Sequence, residues 1–193
     1  MLDKIKRSYQ DAAKNFSTFA EDNEKIEVTN QIAELIADAF RNGNKVIICG
    51  NGGSSTDAMH FAEEFTGRFR KARKALPVIS LTDPSHITCV ANDMGFEEIF
   101  ARGVEAYGKK GDVLIGISTS GNSENVVRAL AKAKKLGIKT VSLLGKNGGK
   151  LKDFCDYEII VPGGTTDRIQ ELHITVLHVV IETVERILFP ENY

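Results

Sequence analysis

Four hydroxyl side chains lie in one short turn of this chain, where they could bind an anion. The turn follows an apolar run at 112–117 and precedes a segment, 125–136, whose apolar residues have helical spacing. Unpaired N–H groups and the positive dipole end of a helix would meet these hydroxyls, which suits a phosphate monoester. A serine- and asparagine-capped turn without a ligand is the alternative. The four residues are Ser118, Thr119, Ser120 and Ser123.

A glycine-rich loop follows the first apolar run and reads Cys49-Gly-Asn-Gly-Gly-Ser-Ser55. Ser55 stands where the dinucleotide-binding pattern Gly-x-Gly-x-x-Gly needs its last glycine, and no Gly-Lys-Ser/Thr follows. A smaller polar ligand, held by backbone and Asn51, is therefore the functional interpretation. Alternatively, Ser54 caps the next helix, with Asp57 three residues further on.

That next helix carries residues that could transfer protons or bind a metal ion. His60 and Glu64 are four residues apart and share one face, near the mouth of the sheet. They could be two ligands, or a base and its neighbour, or a solvated surface pair. Glu63 lies almost as near the same face, so spacing alone does not choose between the two glutamates.

The last helical segment carries a second set of candidate functional residues. Asp167 is predicted as its N-cap, with Gln170 at the third position of a capping box. His173 and His178 follow in an apolar stripe, and position 178 lies roughly 80° round the helix from position 170. Spacing leaves open whether either histidine is a ligand or part of the core.

A parallel α/β sheet is predicted to hold these loops and helices. Amphipathic helical patterns at 2–21 and 24–41 come first, ending at Asn42-Gly43-Asn44. Short β-branched runs then alternate with helical segments, which is typical of βαβ units. The sequence predicts a three-layer sandwich with five parallel strands and extra amino-terminal helices, in a single domain over 1–193. Ligands bind such sheets at the carboxyl ends of the strands, where both loops lie. The predicted strands are 45–49, 78–81, 112–117, 139–144 and 157–161, and the final helix is 167–188.

Composition limits the classes of function. The 193 residues are 42% hydrophobic and carry a net charge of -1, which gives no electrostatic argument for binding nucleic acid or an anionic membrane. Three widely spaced cysteines suggest neither a disulfide framework nor a thiolate zinc site, which fits a reducing cytosol. Neither a signal peptide nor a membrane span is expected, so the predicted location is cytoplasmic.

Together these motifs resemble the phosphoheptose isomerase family of SIS-fold enzymes, and the similarity runs nearly end to end. Ser55 stands where this family would have a histidine, and the 162–166 link is shorter than expected. The motifs are Cys49-Gly-Asn-Gly-Gly-Ser54, Asp57-Ala-Met-His-Phe-Ala-Glu-Glu64, Thr66-Gly-Arg68, Ala91-Asn-Asp93, Gly116-Ile-Ser-Thr-Ser-Gly-Asn-Ser123, and Asp167-Arg-Ile-Gln-Glu171 with His178.

The resemblance implies conversion of sedoheptulose 7-phosphate to D-glycero-D-manno-heptose 7-phosphate through an enediol, a step towards the heptose of bacterial lipopolysaccharide. Glu64 and His178 would be the catalytic pair, preferred over Glu63 and His173. The hydroxyl loop would hold the phosphate, and two residues at 92–93 would meet the sugar hydroxyls. The implied substrate-binding set is Asn51, Gly52, Gly53, Glu64, Asn92, Asp93, Ser118, Thr119, Ser120, Ser123 and Gln170.

The resemblance also implies a divalent metal ion, with zinc expected at one per subunit, bound by His60, Glu64, Gln170 and His178. It implies a homotetramer in which helices within 1–43 cover a neighbouring subunit.

Two other classes were weighed against this one. A non-catalytic SIS tetramer that binds the bacterial replication initiator is similar over the whole length, but it lacks the catalytic glutamate and histidine that this chain retains. A sugar-phosphate-sensing domain fused to a helix-turn-helix module fits poorly, because the sequence has no such module and no basic patch.

Overall fold

Seven α-helices and five β-strands make up the computed structural model, which describes residues 1–193. The helices are α1 (Leu2–Ala20), α2 (Asn23–Arg41), α3 (Gly53–Thr66), α4 (Pro84–Met94), α5 (Ile99–Tyr107), α6 (Glu124–Lys135) and α7 (Thr166–Leu188). The strands are β1 (Val46–Gly50), β2 (Val78–Ser80), β3 (Val113–Ser118), β4 (Lys139–Leu144) and β5 (Tyr157–Ile160).

The five strands form one parallel sheet in the order β2-β1-β3-β4-β5. Its central strands β1 and β3 are buried along their whole length, as expected where helices cover both faces. α2, α3 and α7 pack on one face around a core of 27 buried residues, and α4, α5 and α6 pack on the other around 15. The predicted three-layer α/β fold is therefore confirmed, with every predicted strand boundary within one residue of the observed one.

The two amino-terminal helices differ in burial. α2 buries Ile32, Ala33 and Ile36 in the core that it shares with α7 and the sheet, whereas α1 has no fully buried residue. An open groove of about 460 Å³ runs between α1, α2 and α7, and Val179 on α7 is 47% exposed beside it. No helix of the chain combines the length and the apolar character needed to cross a membrane.

The structure contradicts the predicted cap of the last helix and the alternative in which Ser54 caps α3. Gly52 is the N-cap of α3, with φ at +56°, so the helix begins at Gly53 and Ser54 is a buried residue of its first turn. A glycine adopts this left-handed φ without the steric cost that a side chain brings, which lets the chain turn sharply out of β1. Thr165 is the N-cap of α7, so Asp167 is already inside the helix and Gln170 lies in its second turn, where no capping box can form.

Candidate active site

The carboxyl ends of β1 and β3 frame the candidate site. These strands are neighbours, and the chain leaves them towards opposite faces of the sheet, which opens a crevice between the two connections. Asn51, after β1, and Asn125, in the first turn of α6, exchange two side-chain hydrogen bonds of 2.8 and 2.9 Å. This reciprocal amide pair ties the glycine-rich loop to the hydroxyl loop.

The hydroxyl loop is organised by bonds among its own residues. Ser118 Oγ lies 3.0 Å from Ser123 Oγ and accepts the Gly121 N–H at 3.1 Å. The Asn122 N–H donates to Ser120 Oγ at 3.2 Å. Ser123 stands at the N-cap of α6, but its hydroxyl makes no capping hydrogen bond, and the Val126 N–H donates instead to Asn125 Oδ1 at 3.0 Å.

A neighbouring loop braces this turn so closely that only glycine fits at one position. Gly121 has φ at +66°, and a Cβ there would lie 1.8 Å from the carbonyl oxygen of Gly148. From the same side, the Lys150 N–H donates to Asn122 Oδ1 at 3.1 Å. The position of the hydroxyls is therefore fixed by the loop after β4 as well as by their own strand.

Three predicted residues converge where α3 and α7 pack together. His60 Nε2 lies 2.9 Å from His178 Nε2 and 3.4 Å from Glu64 Oε1. The donor atoms of His60, Glu64 and His178 all lie within 4.8 Å of one another. Glu63 approaches the other nitrogen of His60 at 3.5 Å, but its side chain is 62% exposed whereas that of Glu64 is 16% exposed. Glu64 is the glutamate that faces the cluster.

Burial favours the uncharged forms of Glu64 and His178 in this cluster. It raises the pKa of the Glu64 carboxyl, and the negative charge of Glu63 raises it further. Burial also lowers the pKa of the His178 imidazole, with the nearby charges of His60 and Arg70 acting in the same direction. A carboxylate that is a stronger base than usual beside a neutral imidazole is suited to moving protons to and from carbon and oxygen.

The other histidine of α7 belongs to the core. His173 is fully buried, and its Nε2 lies 2.9 Å from the carbonyl oxygen of Leu144 at the end of β4. Burial lowers the pKa of His173 to about 4. Its side chain is away from the cluster around His60, which answers the question that spacing had left open.

The remaining predicted site residues lie outside the cluster of His60, Glu64 and His178. A Cβ on Gly53 would be 2.5 Å from Gln170 Nε2, so the Gln170 amide rests against the first turn of α3, near the glycine-rich loop. Asn92 and Asp93 lie exposed on the last turn of α4 and share a hydrogen bond of 2.7 Å. The roles assigned to these residues, as to all the site residues, stay predictions.

Asp57, described above only within a possible cap and within the family motif, lies on the same helix as His60 and Glu64. Positions 57, 60 and 64 follow the i, i+3, i+7 pattern of a single helix stripe, and this spacing could have identified it. Asp57 Oδ2 is buried without a hydrogen-bond partner, and burial raises the pKa of the carboxyl to about 6, against the lowering effect of the His60 charge.

Two imidazole nitrogens and a carboxylate oxygen at this spacing fit a divalent transition metal ion. Such N/O donor sets suit zinc, with further positions left for water or substrate. The facing Nε2 atoms of His60 and His178 share at most one hydrogen, so at least one of them presents a lone pair towards the other donors.

The fold and this site define an SIS domain protein. The family model described as the SIS domain matches residues 8–145. Phosphoheptose isomerase from Fusobacterium nucleatum is 62% identical over 186 residues, which cover 96% of both chains. The solved phosphoheptose isomerase from Neisseria gonorrhoeae is 36% identical, with a TM-score of 0.89 over 95% of this chain and 98% of that one. The corresponding structure from Francisella tularensis is 35% identical, with a TM-score of 0.92 over 96% and 98%.

The chain belongs to the phosphoheptose isomerase family. The similarity to these isomerases extends over nearly the whole of both partners, so the initiator-binding alternative is not favoured.

Proposed function

We propose that this chain interconverts sedoheptulose 7-phosphate and D-glycero-D-manno-heptose 7-phosphate, the first step towards the heptose of bacterial lipopolysaccharide. The observation that carries the proposal is the convergence of Glu64, His60 and His178 at the packed faces of α3 and α7. Relatives that share 51–62% of the sequence bear the name phosphoheptose isomerase.

Glu64 and His178 divide the proton transfers. The Glu64 carboxylate takes the proton from C1 of the ketose, and the electron pair of that C–H bond becomes the C1=C2 bond while the C2 carbonyl oxygen takes a proton from His178. The enediol then returns its O1 proton to His178, and Glu64 delivers its proton to C2, which leaves the aldehyde at C1. The raised pKa of Glu64 favours both halves of the cycle, because the same group must accept and then release a proton.

The hydroxyl loop binds the phosphate in this proposal. Ser118, Thr119, Ser120 and Ser123 supply neutral donors, and the amino-terminal end of α6 supplies a favourable dipole. Asn51, Gly52 and Gly53 close the other side of the phosphate, and Asn92 and Asp93 on α4 meet the sugar hydroxyls. The Gln170 amide stabilises the enediolate oxygen.

A divalent ion, with zinc the expected species at one per subunit, would be held by His60, Glu64 and His178, with Gln170 as the fourth predicted ligand. Bound there, it would act as a Lewis acid on the oxygen where enediolate charge develops.

The exposed amino-terminal helices favour a homotetramer. α1 buries no residue within its own chain although it presents Leu2 at 81% and Tyr9 at 74% exposure, and the adjacent groove is mostly apolar. Covering these surfaces with a second copy would remove apolar area from water. In this arrangement the single domain over 1–193 uses its helices within 1–43 for assembly, and the enzyme works in the cytoplasm.

The function is tested with purified protein and sedoheptulose 7-phosphate, followed by proton NMR in heavy water. The expected result is the appearance of the aldose together with deuterium incorporation at the carbon that is reprotonated, since a proton held on Glu64 exchanges with solvent. Protein that is folded and oligomeric but leaves the ketose unchanged and fully protonated would refute the isomerase proposal.

A further inference from the structure

The irregular segment that follows α3, residues 67–73, lies along one stripe of α7 and is called the strap below. Three of its side chains contact α7 at positions 178, 182 and 185, which fall on one helix face. The Phe69 ring is stacked on the His178 imidazole, with centroids 6.0 Å apart and planes 24° from parallel. The other two contacts are ion pairs, so the strap joins the helix of Glu64 to the helix of His178.

The strap is anchored by a buried ion pair. Arg73 Nε lies 2.7 Å from Glu185 Oε1, and both side chains are almost fully buried, at 1% and 2% exposure. The remaining guanidinium donors bind carbonyl oxygens at the end of α3, those of Glu64 at 2.6 Å, Phe65 at 2.8 Å and Gly67 at 2.9 Å. A guanidinium satisfied on every side in this way fixes the exit of the chain from α3 relative to α7.

A second ion pair holds the ring of Phe69 in place. Arg70 lies 2.7 Å from Glu182 on α7, and its guanidinium stands over the Phe69 ring, 5.1 Å from the ring centroid. The Phe69 ring is therefore in contact with both a cation and the His178 imidazole. This geometry confines the ring to one position although the segment that bears it has no regular secondary structure.

His178 needs such a constraint because the last torsion of a histidine side chain has broad, poorly separated minima. Its ring has only two neighbouring ring systems, His60 at its edge, with centroids 5.0 Å apart at 74°, and Phe69 on its face. Without the flat surface of Phe69, the imidazole could turn its Nε2 away from His60 and from the reacting oxygen.

Resting on the proposed isomerase function, we infer that Phe69 is a positioning residue. Its ring sets the plane of the His178 imidazole, and the pairs Arg70–Glu182 and Arg73–Glu185 hold the strap that carries it. Phe69 itself exchanges no proton. The inference requires a flat ring at position 69, and a side chain of merely similar size is not sufficient.

The test compares Phe69→Leu, which keeps apolar bulk, with Phe69→Tyr, which keeps the ring. Phe154→Leu is the matched control, because Phe154 is also half-buried beneath a cation, Lys134 at 4.4 Å, but packs against the opposite core. A misplaced catalytic group costs up to about 100-fold in rate, so Phe69→Leu is expected to lower kcat by about 10- to 100-fold while KM stays within about twofold. Phe69→Tyr and Phe154→Leu should retain wild-type kcat.

A second readout does not depend on turnover. The imidazole C–H resonances of His178, assigned by comparison with His178→Gln, should move in Phe69→Leu and stay in place in Phe69→Tyr and Phe154→Leu. If folded Phe69→Leu kept its kcat and its His178 resonances, the inference would be wrong; it would equally be wrong if Phe69→Tyr lost as much as Phe69→Leu. Wild-type protein without isomerase activity, but with the resonance shift in Phe69→Leu, would refute the proposed function and leave the stacking intact.

Discussion

Replacing His173 by methionine should remove an acid sensitivity of the fold and leave catalysis unchanged. The side chain is fully buried, its Nε2 bonds the Leu144 carbonyl oxygen, and its Nδ1 has no partner. In the variant, the Leu144 oxygen still accepts the Val161 N–H at 2.9 Å. Loss of one hydrogen bond and removal of one unsatisfied buried nitrogen act in opposite directions, so stability at pH 7.5 should change by no more than about 1 kcal/mol.

The magnitude at low pH follows from the lowered pKa of His173. Burial takes the pKa from an ordinary 6.5 to about 4, so between these values the unfolded chain binds a proton that the folded chain does not. Stability therefore rises with pH: the contribution is fully present above pH 6.5 and is lost as the pH falls towards 4. With about 1.4 kcal/mol for each tenfold change in proton affinity, the free energy of unfolding contributed by this site falls by about 2 kcal/mol at pH 5 and by about 3 kcal/mol in the limit.

Urea unfolding at pH 7.5 and at pH 5 measures this loss in the wild type and in His173→Met. The wild type should lose about 2 kcal/mol more than the variant across this interval. His86→Met, on the surface helix α4, controls for the removal of a histidine. Equal losses in the wild type and His173→Met would refute the assignment of His173 to a neutral core position, as would a loss of isomerase activity in the folded variant.

Four further results are expected. Glu64→Gln should keep binding sugar phosphate in calorimetry but lose at least about 100-fold in turnover, because an amide cannot accept the carbon proton; wild-type turnover would remove Glu64 from the chemistry. Ser120→Asp should abolish that binding, since like charges facing each other cost several kcal/mol, and unaltered affinity would remove the hydroxyl loop from the site. His60→Ala should lose bound metal and activity while it keeps the α/β fold; a fully active wild type almost free of transition metal and insensitive to chelators would contradict the metal role. Light scattering should give about four times the 21.2 kDa subunit mass, and a monomer at micromolar concentration would count against the tetramer.

The sheet could be predicted from the sequence because its inner strands are buried on both faces. Such strands appear as short apolar runs whose limits are marked by polar and glycine residues, so 139–144 was predicted to the residue and the others to within one. The hydroxyl loop was found for a related reason: a strand and a helix on either side fix where its residues must lie. The strands and the hydroxyl loop could be predicted because they depend on local sequence, and periodicity and turn chemistry are local signals.

Features that depend on contacts between distant segments could not be predicted in this way. Spacing could not distinguish the roles of His173 and His178. The packing of α7 does so, because it places His173 against β4 and His178 against α3. The two misassigned caps, at Ser54 and Asp167, have good capping chemistry in sequence, but each helix begins earlier because of how the preceding turn is shaped. The strap and Phe69 lie in a segment without periodicity, so no local pattern indicates their contact with α7.

The topology places the proposed phosphate loop and the proposed proton-transfer pair in different layers of the fold. α6, which begins at the hydroxyl loop, packs on one face of the sheet, whereas α3 and α7, which carry Glu64 and His178, pack on the other. At the carboxyl edge of β1 and β3, the Asn51–Asn125 amide pair joins the two layers. A substitution in the hydroxyl loop should therefore weaken binding and leave the α3–α7 cluster intact, while Glu64→Gln in that cluster should slow turnover and leave phosphate binding intact. The different outcomes expected for Ser120→Asp and Glu64→Gln are consequences of the strand order as much as of the two side chains.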